Sequence, residues 1–128
     1  MNAPSLCFAA IAAAHGLLML ALAWKVIRFR QTQGVGIGDG GNKDINRAIR
    51  AHANFTEWAP LTLLILLVAD LRGAGPYVVG ALGGALLVGR TLHALGLSAS
   101  AGPSWQRIGG MVLTMLALVG SCVCAVVC

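Results

Sequence analysis

The chain has 128 residues, of which 58% are hydrophobic and only 10% charged, and its mean hydropathy is +0.82. A soluble domain carries about 25% charged residues, so this composition cannot cover a water-soluble globule, and it lies equally far from disorder. What remains is one integral membrane domain over residues 1–128, because four spans of about 20 residues use most of the chain. Nine Lys and Arg against four acids leave a net charge of +5. Aromatic residues are 5% of the chain and are not interleaved with basic ones, so nucleic acid is excluded as a partner. The basic excess is expected to mark topology and an anionic ligand. Cys7, Cys122, Cys124 and Cys128 match no zinc spacing and read as small membrane-buried residues, with no metal site.

In chain order, an apolar run from Ser5 to Trp24 has the length of a bilayer span and ends in Lys25, Arg28 and Arg30. No Lys or Arg precedes it, so a signal peptide's positive n-region is missing and the run is expected to stay as helix one, over about 5–30. The glycine-rich stretch 34–41 fails the spacing of both phosphate-binding fingerprints and is expected to be a flexible loop. Helix two is expected over about 44–71, with Asp44 as its cap and a kink at Pro60. Its clean apolar segment, Trp58 to Ala69, is too short to cross about 30 Å of hydrocarbon, so the helix must carry polar residues into the membrane. A turn over 70–76 leads to helix three at about 77–97, in which Gly80 and Gly84 form a small-xxx-small pair suited to close packing. After a loop over 98–103, helix four runs over about 104–127. The basic residues collect around the first and third loops, which the positive-inside rule puts in the cytoplasm with both termini periplasmic; Trp24 and Trp105 fall at the cytoplasmic interface.

Ionisable residues at membrane depth are functional candidates by default. Arg47, Arg50, Asn54 and Glu57 fall within an arc of roughly 80° on helix two. His52 points to nearly the opposite face, toward a different neighbour or subunit. Arg90 and His93 share a face of helix three. Arg28, Arg50, Arg90 and Arg107 lie toward the cytoplasmic ends of their helices and outnumber the one local acid, Glu57. Glu57 could simply tie two helices together, but a single acid leaves the other guanidinium groups unbalanced. An anionic small molecule entering from the cytoplasmic interface accounts for the set better.

The segment from Arg47 to Pro60, RAIRAHANFTEWAP, resembles the helix-two signature of the MAPEG superfamily, the membrane-associated proteins of eicosanoid and glutathione metabolism. The stretches GIGDGGN at 36–42 and GRTLHALGL at 89–97 resemble its bacterial branch. The resemblance covers about residues 5–127. It implies an all-α, transmembrane four-helix bundle assembled as a homotrimer, with glutathione as cosubstrate bound between subunits near the cytoplasmic face. On that resemblance Arg50, Asn54 and Glu57 match residues holding the glutathione backbone, and His52 matches a position that reaches the site from the adjacent subunit. Arg28 (or Arg30) matches a basic position ending helix one, Arg90 and His93 match a polar pair of helix three, and Arg107 matches the catalytic arginine that faces the sulfur. Several eukaryotic members carry tyrosines where this chain has Trp58, His93 and Leu97, and its single tyrosine is Tyr77.

The function expected is therefore a bacterial inner-membrane glutathione transferase or peroxidase, with a lipophilic second substrate delivered from the lipid and an arginine lowering the thiol's pKa. The alternative is a non-catalytic membrane protein of the same fold that binds another anionic metabolite or a membrane lipid. A small multidrug exporter ranks below both, because helix one has His15 where such exporters have a membrane-centre acid.

Overall fold

The computed structural model describes residues 3–128. Among them are four helices: α1 (Leu6–Gln33), α2 (Lys43–Arg72), α3 (Pro76–Ala99) and α4 (Trp105–Val127). All four are long and apolar enough to cross a membrane. With 28 and 30 residues, α1 and α2 are about 42–45 Å long at 1.5 Å per residue, so they overrun a 30 Å hydrocarbon core. Helices α2 and α3 form the middle of the bundle, α3 and α4 are the most intimately packed pair, and α1 does not meet α4.

Helix ends follow local chemistry. Ser5 caps α1 by accepting from the Phe8 amide, and Gly34 ends it in the left-handed region at φ 66°. The cap of α2 is Asn42, whose side chain accepts from the amides of Asp44 and Ile45. Asp44, expected as the cap, instead lies inside the first turn and pairs with Arg47. That position still favours an acid, because the helix N-terminus is electropositive. Helix α2 runs through Pro60 without a break and on to Arg72, so Asp70 lies in its last turn, at the edge of the expected helix, and the turn begins at Gly73. Asp70 is buried and accepts from the Ser5 backbone amide at 2.7 Å, tying the start of α1 to the end of α2.

The glycine-rich loop makes specific hydrogen bonds at both of its ends. Arg30 Nε donates to the Gly38 carbonyl at 3.0 Å. Asp39 accepts from the Gly41 amide at 2.9 Å and from the Asn46 side chain at 2.8 Å. Gly40 sits at φ 59°, and a Cβ there would come within 2.7 Å of Val35. Loops one and three lie at the same end and border one space, since Asp39, Asn42, Lys43, Asn46 and Arg47 line a cavity of about 340 Å³ together with Ala101.

The interior is small and partly polar, while the outside is apolar. Ala48, Ala51, Ala59, Ala69, Ala94 and Ala117 are buried, and so are His15, Thr62, Asp70, Arg90, His93, Thr114 and Ser121. Leu17, Leu20, Leu61, Leu64, Ile108, Val112, Leu116 and Val119 are exposed. Hydrocarbon tails accept such a surface, and small residues then let helices approach closely enough for dispersion to hold them. The closest approach is at Gly89 and Gly110, where a Cβ on Gly110 would lie 2.5 Å from the Gly89 carbonyl oxygen. Gly83 makes room for the Ile11 side chain of α1 instead of for backbone. The expected Gly80 and Gly84 pair does not make this contact: Gly84 has open space, and Gly80 has ordinary room beside Cys7. Cys7 and Cys124 are half-buried, whereas Cys122 and Cys128 are exposed on the chain's surface.

Two outcomes follow. Gly110→Ala should lower the melting temperature in detergent, at the scale of about 1–3 kcal/mol for overpacking against immovable backbone. Gly84→Ala should be neutral or raise it, by up to about 1 kcal/mol of helix propensity; equal melting of the two variants would contradict the Gly89–Gly110 crossing. The Asp39 carboxyl is held below its usual value of 3.8, first by the Gly41 amide and then by the Asn46 amide. The folded state therefore binds fewer protons than the unfolded one, and this stabilisation is complete above the usual value and lost as pH falls through the depressed one. The protection of the Gly41 amide against exchange, relative to its intrinsic rate, should fall only in that acid window, whereas Asp39→Ala should lack that protection at neutral pH.

Candidate functional site

The buried face of α2 carries Ile45, Ala48, Ala51, Phe55, Ala59, Thr62 and Leu66. Arg50, Asn54 and Glu57 lie off that face because the spacing of four and three keeps them together on another one. Arg50 and Glu57 are exposed and Asn54 half-buried. Arg50 Nη2 and Glu57 Oε1 are 3.6 Å apart, and each side chain is 51% exposed. Asn54 lies between them in sequence, so cation, amide and carboxylate line one stripe within a membrane-spanning helix. An ion pair this open contributes about 0–1 kcal/mol, and its partners can be exchanged for those of a ligand.

Behind the stripe is Arg90 of α3, 2% exposed. Its Nη1 donates to Asn54 Oδ1 and, at 3.4 Å, to the Asn54 backbone carbonyl. Its Nε donates to Thr114 Oγ1 at 2.9 Å, and its Nη2 approaches Met111 Sδ at 3.6 Å. Thr114 donates in turn to the Gly110 carbonyl at 2.8 Å. No carboxylate pairs with Arg90; among the described residues the ion pairs are Arg47–Asp44 and Arg50–Glu57. Arg90 thus joins α2, α3 and α4 through neutral acceptors.

A second group sits at the loop end of α3 and α4. His93, 8% exposed, uses Nδ1 to meet the Arg107 backbone carbonyl at 3.0 Å. The Arg107 Nη1 donates to the carbonyls of Ala101 and Gly102 at 2.8 and 2.7 Å, which anchors the guanidinium over loop three. Below it opens a groove of about 560 Å³ whose walls are Ile108, Met111, Val112 and Met115, with His93, Ala101, Pro103 and Arg107 at its head. Met111 belongs to both groups, since it touches Arg90 and lines this groove.

Within one chain the candidate residues therefore form two clusters, Arg50–Asn54–Glu57–Arg90 and His93–Arg107, and two outliers. Arg28 is exposed on α1, in a groove of about 400 Å³ with Trp24, Lys25, Phe29 and Thr32. His52 is half-buried off the stripe. Arg28 and Arg107 line separate grooves, and Arg50 pairs with Glu57, so no contact inside one copy brings the three together. Thr114 and Met111 were missed by sequence reading: a threonine and a methionine in an apolar helix carry no signal until α3 brings Arg90 against them. Tyr77 is 91% exposed at the start of α3, the end that holds Ser5 and Asp70, away from both clusters.

The profile of the family described as MAPEG matches residues 8–127. The inner membrane protein YecN of Escherichia coli strain K12 is 34% identical over 102 residues, which are 80% of this chain and 76% of the relative. The YecN of Escherichia coli O6:H1 strain CFT073 matches to the same extent.

The openness of the Arg50–Glu57 pair can be checked directly. Arg50→Ala and Glu57→Ala should each change the melting temperature by the equivalent of less than about 1 kcal/mol. A loss of several kcal/mol in either would mean that the pair holds the fold and is not free to exchange partners.

Proposed function

We propose, on the premise that this chain belongs to the MAPEG family, that it is an inner-membrane protein which binds glutathione and uses it as transferase or peroxidase on lipophilic compounds. The observation that carries the reading is the α2 stripe: an exposed guanidinium, an amide and an exposed carboxylate on one face of a membrane-spanning helix, outside the chain's own core. This set fits glutathione, which carries carboxylates, peptide groups and an ammonium. Arg50 offers a bidentate partner for a carboxylate. Glu57 offers one for the ammonium, and Asn54 serves a peptide or carboxylate group between them. The inner-membrane location follows the similarity to the YecN proteins.

Glutathione would supply a thiol, which is nucleophilic as its thiolate. Arg107 is suited to favour the thiolate, since its Nη1 is anchored by two loop carbonyls and a fixed positive charge near a thiol lowers its pKa. His93 holds the Arg107 backbone in turn. The groove below Arg107 is apolar and open at its side, as entry of a lipophilic substrate from the bilayer requires. Proximity in a water-poor site would then do much of the catalytic work. A homotrimer would complete the site: within one copy Arg28 lines a groove of its own on α1 and His52 lies off the stripe, and a neighbouring copy can bring them together. Loops one and three would be cytoplasmic and the termini periplasmic, in keeping with the basic residues around those loops.

The absence of a tyrosine near either cluster favours binding and thiolate formation without a tyrosine-dependent step. It keeps a second reading in view, a protein of this fold that binds an anionic metabolite or lipid without turnover.

The test is a glutathione titration of detergent-solubilised protein, following heat release and thiolate absorbance. Wild type should bind and form thiolate. Arg50→Ala should lose at least tenfold in affinity, and Arg107→Ala should bind with little thiolate. No binding by wild type at millimolar glutathione would overturn the reading; stabilisation by anionic lipid alone would favour the second one.

A further inference from the structure

We infer that Arg90 is a positioning residue which fixes the Asn54 amide, so that a ligand on the α2 stripe meets Asn54 as a hydrogen-bond donor and presents it with a carboxylate or carbonyl oxygen. The inference rests on reading the stripe as a ligand site and adds to it a polarity along the helix.

A guanidinium has only donors. The Asn54 atom facing Arg90 Nη1 is therefore the oxygen, and a flipped amide would set NH₂ against the guanidinium. Arg90 has no room to follow such a flip. It is 2% exposed, its Nη1 also reaches the Asn54 backbone carbonyl at 3.4 Å, and its Nε is held by Thr114 at 2.9 Å. Thr114 is fastened to the Gly110 carbonyl at 2.8 Å, one side of the backbone crossing between α3 and α4. The orientation of Asn54 is thus set by the packing of two other helices. The same burial keeps Arg90 itself from touching a ligand on the stripe.

With Oδ1 occupied, Nδ2 is what Asn54 has left to offer. Among the described residues the sealed polar atoms without a partner are His15 Nε2 and Arg47 Nε, so Asn54 Nδ2 is not shut inside the bundle. A cation on the oxygen polarises the amide and strengthens its N–H groups as donors. Arg50, one turn earlier on the same face, adds a positive charge, and Glu57, one turn later, a negative one. A zwitterionic ligand is then ordered along α2: its oxygen-bearing anionic end lies toward Arg50 and Asn54, nearer the loop end, and its ammonium lies toward Glu57.

Asn54→Asp separates the two roles of this residue. The new carboxylate gives the buried guanidinium a counter-ion, while both donors to the ligand disappear. The ligand-free variant should therefore melt above wild type, and this gain should vanish when Arg90→Met is added. Its affinity for glutathione should fall at least tenfold, and in the ¹⁵N-labelled wild type the Asn54 side-chain NH₂ resonance should move on titration with glutathione. A purely structural Asn54 would give the rise in melting temperature with unchanged affinity, and that result would overturn the inference while leaving glutathione binding intact. An Asn54→Asp variant that melts no higher than wild type would also overturn it, by denying the Arg90 contact. If wild type binds no glutathione but Asn54→Asp melts higher, the ligand reading fails and the Arg90–Asn54 orientation stands.

Discussion

The structure depends on a guanidinium with no acid beside it. Arg90 is sealed between α2, α3 and α4 and satisfied by an amide oxygen, a hydroxyl and a thioether. An unpaired charge in a low-dielectric interior is tolerated only when its hydrogen bonds are made and tightly held. Holding them requires that Thr114 be locked to Gly110, that Gly110 lie against Gly89, and that Asn54 turn its oxygen inward. The helix crossing, the buried polar network and the outward face of Asn54 are in this sense one arrangement.

A bilayer makes that arrangement possible. In water the exposed leucines and valines of α1, α2 and α4 would drive the chain to hide them. In lipid they are already in a suitable solvent, so association must come from close contact and hydrogen bonds. This explains an interior of alanines and glycines around Arg90, His93, Thr114 and Ser121. Three of the buried hydroxyls, on Thr62, Thr114 and Ser121, donate to the carbonyl four residues earlier and so need no partner on another helix. Thr114 alone also receives a bond across helices, and it is the one that meets Arg90.

The polar groups outside the core behave differently. Arg50 and Glu57 are half exposed and loosely paired, and Arg107 leans on loop carbonyls above an apolar groove. The rigid network and the exchangeable groups meet at two residues. Asn54 is held from behind by Arg90 and shares its face with Arg50 and Glu57. Met111 contacts Arg90 and lines the groove below Arg107. A disturbance of the core therefore has a direct route to both candidate clusters.

Much of this was legible in the amino-acid order, and the reasons are local. Apolar runs of bilayer length determine four helices, and basic residues around loops one and three determine which ends belong together. The spacing of Arg50, Asn54 and Glu57 determines that they share a face, because 3.6 residues make a turn. Other features were decided only by tertiary structure. Asn42 rather than Asp44 caps α2 because the chain leaves loop one with Asn42 in the extended conformation that a cap requires. Gly89 and Gly110, not Gly80 and Gly84, carry the close crossing because that is where the α3 and α4 backbones come together, which no pattern within α3 alone can show. Arg90 was visible as a charge in a span, but its role depends on Asn54, 36 residues before it, and Thr114, 24 after it. Periodicity along one helix says which residues share a face; only the packing of three helices decides what that face meets.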